Sequence, residues 1–300
     1  MIEINGLCKS FDGYQALNNM NIKVQSGSIY GLIGTNGAGK TTVIRHMAGI
    51  IKADAGEVLF DGENVWDNEG VKQRIGLIPD ELYFPNNSAP DDMRRFYSSV
   101  YRNWDDSKYR HIMDLFKLDP HKKVGTFSKG MKKQVAFALA MAKNPDYLIL
   151  DEPIDGLDPI VRKIVWRLIV DDVAEKEMSV LVSSHNLKEM EGICDYIGIV
   201  DHGEMKLERE LDLLKGRIHK VQVSFGKDGL PPEINDNLNI IHRDTRGSVE
   251  LLIIANSMQT IEETIGSRNP VLFDILPLSL EEIFIYELGG ESDEISKLIL

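Results

Sequence analysis

The chain has 300 residues, 43% of them hydrophobic and 27% charged, which is material for one large globular domain and a smaller second one. No apolar run approaches the roughly 20 residues that a membrane-crossing helix needs, and Met1–Ile4 lacks the basic-then-apolar pattern of a secretory leader. The net charge of −13, with no cluster of five Lys or Arg, argues against nucleic acid as the main partner; two cysteines, Cys8 and Cys194, make neither a disulfide framework nor a metal-site spacing, so a reducing cytosol is expected.

Residues 2–7 and 20–24 read as short strands. Between them, Lys9–Tyr14 offers Phe11 and Tyr14 as aromatics able to stack on a base or to half-bury in a turn. Ser28–Ile33 is short, apolar and β-favouring, and reads as a buried strand. It runs into Gly34, Thr35, Asn36, Gly37, Ala38, Gly39, Lys40, Thr41 and Thr42, the pattern G-x-x-x-x-G-K-T, and on into a helix over Lys40–Ala48 that Gly49 ends. Glycine at 34, 37 and 39 lets the backbone turn tightly and approach a ligand, and its N–H groups with the helix N-terminus form an anion site. Lys40 is placed to reach the β- and γ-phosphates of a nucleotide, and the Thr41 hydroxyl to bind Mg²⁺.

Gly56–Gly62 reads as a strand ending in a D-G turn, and Arg74–Ile78 as another that Pro79 stops. Residues 80–126 are polar, aromatic and helix-like, with helices at Asp91–Tyr101 and Ser107–Leu118. Ser128 caps a further helix over Met131–Lys143, so a helical insertion occupies about 80–145. Tyr147–Leu150 is a strand buried on both faces, with Asp151 and Glu152 at its C-terminal end, the edge where ligands bind in open α/β sheets. Strand alternation points the two carboxylates opposite ways, so Asp151 suits a metal shell and Glu152 the orienting or deprotonation of a water. Asp155–Pro159 turns into a helix with Pro at its first position, and Ser179–Ser183 is a buried strand followed at the same edge by His185, a candidate phosphate contact.

Tyr196–Val200 and Glu204–Leu207 form a hairpin, and Glu208–Lys215 a helix that Gly216 ends. Beyond it the texture changes: strands at His219–Phe225, Leu238–His242, Ser248–Ala255 and Val271–Ile275, and helices at Ser257–Ile265 and Leu280–Glu287, predict a small α+β domain over 217–300 with an acidic tail and no catalytic constellation.

With these motifs in this order the chain resembles the ATP-binding cassette (ABC) ATPases, most of all the single-cassette subunits of bacterial ABC exporters. The resemblance covers 1–216 by motif and extends loosely to Ser279–Phe284, the Ser-Leu-Glu-Glu-Ile-Phe stretch of a small extra domain. It implies an α/β P-loop NTPase with a mostly parallel sheet, an antiparallel β subdomain and the helical insertion, followed by the small C-terminal α+β domain. It implies that Gly34–Thr42 is the Walker A loop, that Phe11 rather than Tyr14 stacks on the base, that Tyr147–Asp151 is Walker B, Glu152 the catalytic carboxylate, Gly156–Asp158 the D-loop and His185 the switch histidine. Phe127–Met131 takes the place of the signature, reading F-S-K-G-M where L-S-G-G-Q is usual; Ser128 and Gly130 are then the residues that contact γ-phosphate across a dimer. Lys129 and Met131 depart from the pattern, as does Asp80, which stands where the family has a Gln facing Mg²⁺ and the attacking water.

The resemblance further implies a Mg²⁺-dependent ATPase that works as a homodimer or heterodimer of cassettes on a separate membrane-spanning permease subunit, peripheral on the cytoplasmic face, in export. The helix N-terminus at Ser128–Gly130 is an anion site with no phosphate of its own half to bind, which is the physical case for a dimer. A soluble ABC ATPase of translation or repair is the rival, and a single acidic cassette without a long coiled coil or zinc motif speaks against it. Intact Lys40, Asp151, Glu152 and His185 speak against a regulator that binds nucleotide without hydrolysing it.

Overall fold

The computed structural model describes residues 1–85, 87–216, 218–226 and 229–288; the acidic tail expected from the sequence lies outside them. Strands β1 (Ile2–Phe11) and β2 (Tyr14–Val24) pair antiparallel around Asp12–Gly13, whose φ values of 47° and 84° are those of a tight hairpin turn. They are longer than the two short strands predicted, because their ladder runs up to Phe11 and Tyr14. Strand β3 (Ile29–Ile33) is buried at every position and leads into α1 (Lys40–Met47). Strand β4 (Ala55–Phe60) pairs antiparallel with β1, and β5 (Glu63–Asn64) folds back on it across Asp61–Gly62, giving a first sheet of order β2-β1-β4-β5. Helix α2 (Glu69–Gln73), unforeseen in the sequence, starts where the Asn68 side chain accepts the Val71 N–H.

Strand β6 (Ile75–Ile78) opens the second sheet. The insertion follows as α3 (Pro90–Val100) and α4 (Asp106–Leu115), and then α5 (Lys129–Ala142), where the Ser128 hydroxyl accepts the Met131 N–H at 3.2 Å. Strand β7 (Tyr147–Asp151), α6 (Pro159–Lys176), β8 (Ser179–Ser184), β9 (Tyr196–Asp201) and β10 (Glu204–Glu210) complete a sheet of order β10-β9-β3-β8-β7-β6, parallel from β9 to β6. Its register places Ile33 beside Ser184 and Asp151 beside Ser183. The loops after β3, β7 and β8 therefore leave the sheet together. One apolar cluster fixes that edge: Ile2, Leu7 and Met20 of the first sheet pack with Val43, Ile44 and Met47 of α1 and with Leu32, Ile149 and Leu181 of the second.

Helix α7 (Leu211–Lys215) is shorter than predicted. Residues 208–210 stay extended at the end of β10, and the Glu208 carboxylate accepts the Tyr30 hydroxyl at 2.7 Å. Strand β11 (His219–Ser224), α8 (Pro232–Asn237), β12 (Ile240–Arg246), β13 (Val249–Ile254), α9 (Met258–Ile265), β14 (Leu272–Leu276) and α10 (Leu280–Leu288) follow. The four strands form an antiparallel sheet of order β12-β13-β11-β14. Val221, Val223, Leu252 and Ile254 form its buried face with Ile234 of α8 and Ile261 and Ile265 of α9. Helix α9 is too short to persist alone; its buried i, i+4 isoleucines stabilise it by about 1.5–3 kcal/mol each.

Long-range contacts divide the described chain into two compact units. The first is Met1–His185 with Gly192–Glu208; the second is Asn186–Glu191 with the residues from Arg209 onward. The change of texture had suggested a boundary at 216. The contacts divide the chain between Glu208 and Arg209, and give the second unit the six residues 186–191 that follow β8.

Candidate functional site

At the C-terminal edge of the parallel sheet a cleft of about 350 Å³ opens between the β1–β2 hairpin turn and the loop after β3. Phe11, Tyr14, Thr35, Asn36, Gly37, Gly39, Lys40, Thr41, Thr42, Asp80 and Glu152 line it, with Ala16 behind. Gly39, at φ 110°, forms the N-cap of α1, and a Cβ there would lie 3.0 Å from the Ala16 carbonyl oxygen, so only glycine carries the chain through this bend. Gly34 and Ala38 hold the two ends of the loop: the Gly34 N–H donates to the Ser184 carbonyl, and the Ala38 carbonyl accepts from Gly203. Lys40, only 6% exposed, donates to the carbonyl oxygens of Gly34 at 2.7 Å and Thr35 at 3.2 Å.

The two acidic residues at the end of β7, its last residue Asp151 and the following Glu152, meet consecutive residues of α1. Asp151, 2% exposed, accepts the Thr41 hydroxyl at 2.8 Å and the Ser183 hydroxyl at 2.6 Å. Glu152 has one carboxylate oxygen 3.5 Å from Lys40 Nζ and the other 3.0 Å from His185 Nδ1. Strand alternation does not extend to Glu152, because the strand ends at Asp151. Glu152 lies at φ 46°, a left-handed conformation that costs a non-glycine residue about 1–3 kcal/mol. Its N–H is held by the carbonyl and hydroxyl oxygens of Ser183, and its carbonyl accepts from Lys133. The two carboxylates have separate partners: Asp151 is buried against Thr41 and Ser183, while Glu152 lines the cleft.

His185 is half-exposed beside Glu152, and Asp155 completes a group with them whose donor atoms lie within 4.8 Å of one another. Asp80 faces the cleft and pairs with Lys133 at 3.5 Å and Lys129 at 4.0 Å, so two of the positions that depart from the family pattern, 80 and 129, oppose each other as an ion pair. Phe11 and Tyr14 face each other across the hairpin turn, both partly exposed at the rim, with Lys9 Nζ 5.5 Å above the Phe11 ring. Ser128 and Gly130 are not part of the cleft's lining. Gly130 packs on the turn after β7, where a Cβ would lie 2.7 Å from the Gly156 carbonyl oxygen.

This arrangement has close counterparts. The family model described as "ABC transporter" matches residues 17–155. The ABC transporter ATP-binding protein YtrB of Bacillus subtilis is 33% identical over 97% of this chain and 99% of its own length. The bacitracin transport ATP-binding protein BcrA of Bacillus licheniformis is 35% identical over 73% of each.

This chain belongs to the ABC transporter ATP-binding proteins.

Membership makes the cassette an ATP-binding ATPase of a transporter, on the α/β architecture expected from its motifs. The dimeric post-hydrolysis structure of the ATP-binding cassette MJ0796, bound to ADP and Pi, has the same fold, with a TM-score of 0.62 at 22% identity over 70% of this chain and 99% of that one. Among the described residues no helix of the cassette is long and apolar enough to cross a membrane.

Lys133 and Ser183 were not foreseen as site residues. Lys133 is 2% exposed, and burial pushes its ammonium below the usual lysine range while Asp80 pulls it back up. Its only sequence signal is a lysine next to the apolar run Val135–Ala142 of α5. Ser183 reaches Asp151 through the β7–β8 pairing, which joins residues 32 apart.

Proposed function

We propose that the cassette binds Mg-ATP in this cleft, hydrolyses it with Glu152 as the group that polarises the attacking water, and does so as a dimer of cassettes coupled to a separate membrane-spanning subunit. The observation that carries this reading is the convergence of Lys40, Thr41, Asp151, Glu152 and His185 at one sheet edge while Ser128 and Gly130 stay outside the cleft. Lys40 already donates to two carbonyls of its own loop, and a bound triphosphate offers it better acceptors in its β- and γ-oxygens. Glu152 then loses its nearest cation and is left facing the water in line with the γ-phosphoryl group, with His185 turned to the same phosphate. Phe11 stacks on the base, with Tyr14 beside it.

The donors at Thr41 and Asp151 fit a hard divalent cation, since both offer oxygen and they lie 2.8 Å apart. Mg²⁺ held there neutralises charge on the β- and γ-phosphates. Asp80 is the further oxygen ligand on this reading, and its carboxylate opposes metal-free ATP where an amide would not. The α5 N-terminus, capped by Ser128 and exposed in one copy, supplies N–H groups to the phosphate bound by the other copy, which closes two nucleotides between two cassettes. The helical insertion passes that closure to the membrane-spanning subunit, on the cytoplasmic face where ATP is found. Export is the direction that the resemblance implies.

Three measurements test the reading. Pulling the tagged chain from its native membranes is expected to bring a membrane-spanning chain with it; recovery of the cassette alone would remove the transporter coupling. Sizing Glu152→Gln with Mg-ATP is expected to give a dimer, and a monomer at all concentrations would remove the sandwich. In the same preparation Asp80→Gln is expected to bind ATP in chelator more tightly than the parent does.

A further inference from the structure

The six residues after His185 belong by their contacts to the second unit, although the chain on both sides of them belongs to the first. Residues 187–189 form a single 3₁₀ turn, started where the Asn186 side chain accepts the Lys188 N–H at 3.0 Å. That turn lies against α10. Leu187 and Met190 are buried, and Lys188 Nζ pairs with Glu281 at 3.2 Å. At the far end of the segment, Glu191 lines a cavity of about 410 Å³ with His219, Met258 and Ile283.

Glu281 stands on a fixed support. The start of α10 is a reciprocal cap: the Ser279 N–H donates to Glu282, and the Glu282 N–H donates to the Ser279 hydroxyl. Glu282 is in turn tied to β11 by Lys220 Nζ at 2.6 Å. A connected path therefore runs from the antiparallel sheet through Lys220, Glu282, Glu281 and Lys188 to the residue next but two after His185. His185 itself is half-exposed, and its ring meets Glu152 on the cleft side at 3.0 Å. Where such a side chain points depends on how firmly the backbone behind it is anchored.

We propose that Lys188 and Glu281 are positioning residues for ATP hydrolysis: the second unit grips the segment behind β8 through this pair and so holds His185 in register with Glu152. The inference rests on the reading of His185 as a phosphate contact. It gives the C-terminal unit, which has no site of its own among the described residues, a role in turnover. An ion pair with Lys188 as exposed as this is weak by itself. The grip is therefore shared with the buried Leu187 and Met190, and the effect of the pair alone is moderate.

The test uses the full chain with Lys188→Glu, Glu281→Lys and the double exchange. Each single variant is expected to lower kcat for ATP by about 3- to 10-fold with KM within about twofold of the parent, and the double exchange to recover most of the loss. Amide exchange at 186–191 is expected to quicken in the singles and not in the double, while the loop at 34–42 is unchanged. If charge reversal prevents folding, Lys188→Met and Glu281→Gln carry the same expected direction. Single variants with parental kcat, a KM that moves with kcat, or a folded double no better than the worse single would each overturn the proposal. Two controls separate it from the reading beneath it. A parent without ATPase activity, or a His185→Ala variant with parental kcat, overturns the role of His185 and the inference with it; activity sensitive to His185→Ala but indifferent to the pair overturns the inference alone.

Discussion

Lys40, Lys133 and Asp151 of the first unit are each no more than 6% exposed, and each serves the cleft at the sheet's C-terminal edge. In the second unit Arg243 and Glu250 meet on neighbouring antiparallel strands and Lys220 meets Glu282, and in each pair the cation keeps a fifth or more of its side chain in water. The difference follows from sheet type. Parallel strands buried on both faces end together, so polar groups gathered at their ends are largely buried and pair with one another and with the flanking helices. Antiparallel strands with one wet face settle each charge locally. Buried, mutually dependent charge is where chemistry is expected; local, half-wet pairs are expected to report stability alone. The pair Lys188–Glu281 is the proposed exception, because its segment leads straight to the cleft.

The largest effect that sharpens this contrast is at Glu152. Glu152→Gln keeps the shape and the loop contacts of Lys40, so ATP affinity is expected to hold while turnover falls by a factor of about 100 or more. Nucleotide titration together with steady-state kcat measures both, and a variant within tenfold of the parent would move the water-polarising role elsewhere.

A middle effect concerns a buried charge of the first unit outside the cleft. Lys143 donates to the Ile75 carbonyl and lies 3.8 Å over the Tyr101 ring, and burial pushes its ammonium down to about 8. The unfolded chain holds this proton up to about 10.5. Between the two values the unfolded state binds more protons than the folded one, so stability rises with pH across that window and the contribution is lost as pH falls through 8. From pH 8 to 9.5 the parent is expected to gain about 1–2 kcal/mol relative to Lys143→Met in urea unfolding. Equal slopes for the two proteins would mean that this charge reaches water.

The smallest effect is expected at Arg243, which donates to both oxygens of Glu250 at 2.7 and 2.8 Å while 41% exposed. Arg243→Ala is expected to cost about 0.5–1 kcal/mol in stability and to leave kcat unchanged. A fall in kcat like that expected of the Lys188 variants would break the contrast, since any disturbance of the second unit would then reach the cleft.

The strand, loop and helix around Gly34–Thr42 were legible in the sequence because everything they need is contiguous: a buried strand, glycines where the backbone must bend, and Lys40 and Thr41 on the first turn of a helix that the chain forms locally. The strands ending at Asp151 and near His185 were legible for the same reason, from short apolar runs with polar residues at one end. The direction of Glu152 was not, since alternation does not extend past the strand's last residue, Asp151, and Glu152, at a left-handed backbone held by Ser183 of the neighbouring strand, meets Lys40 and His185 instead. Lys133 looked like any helix lysine until the sheet packed beside it. Residues 186–191 look like an ordinary turn, and their allegiance to the second unit comes from packing against α10, whose Glu281 lies 93 residues beyond Lys188. Local propensity and periodicity act over a few residues and are written in the chain; which distant groups share a buried edge is decided by long-range packing, which no stretch of that length contains.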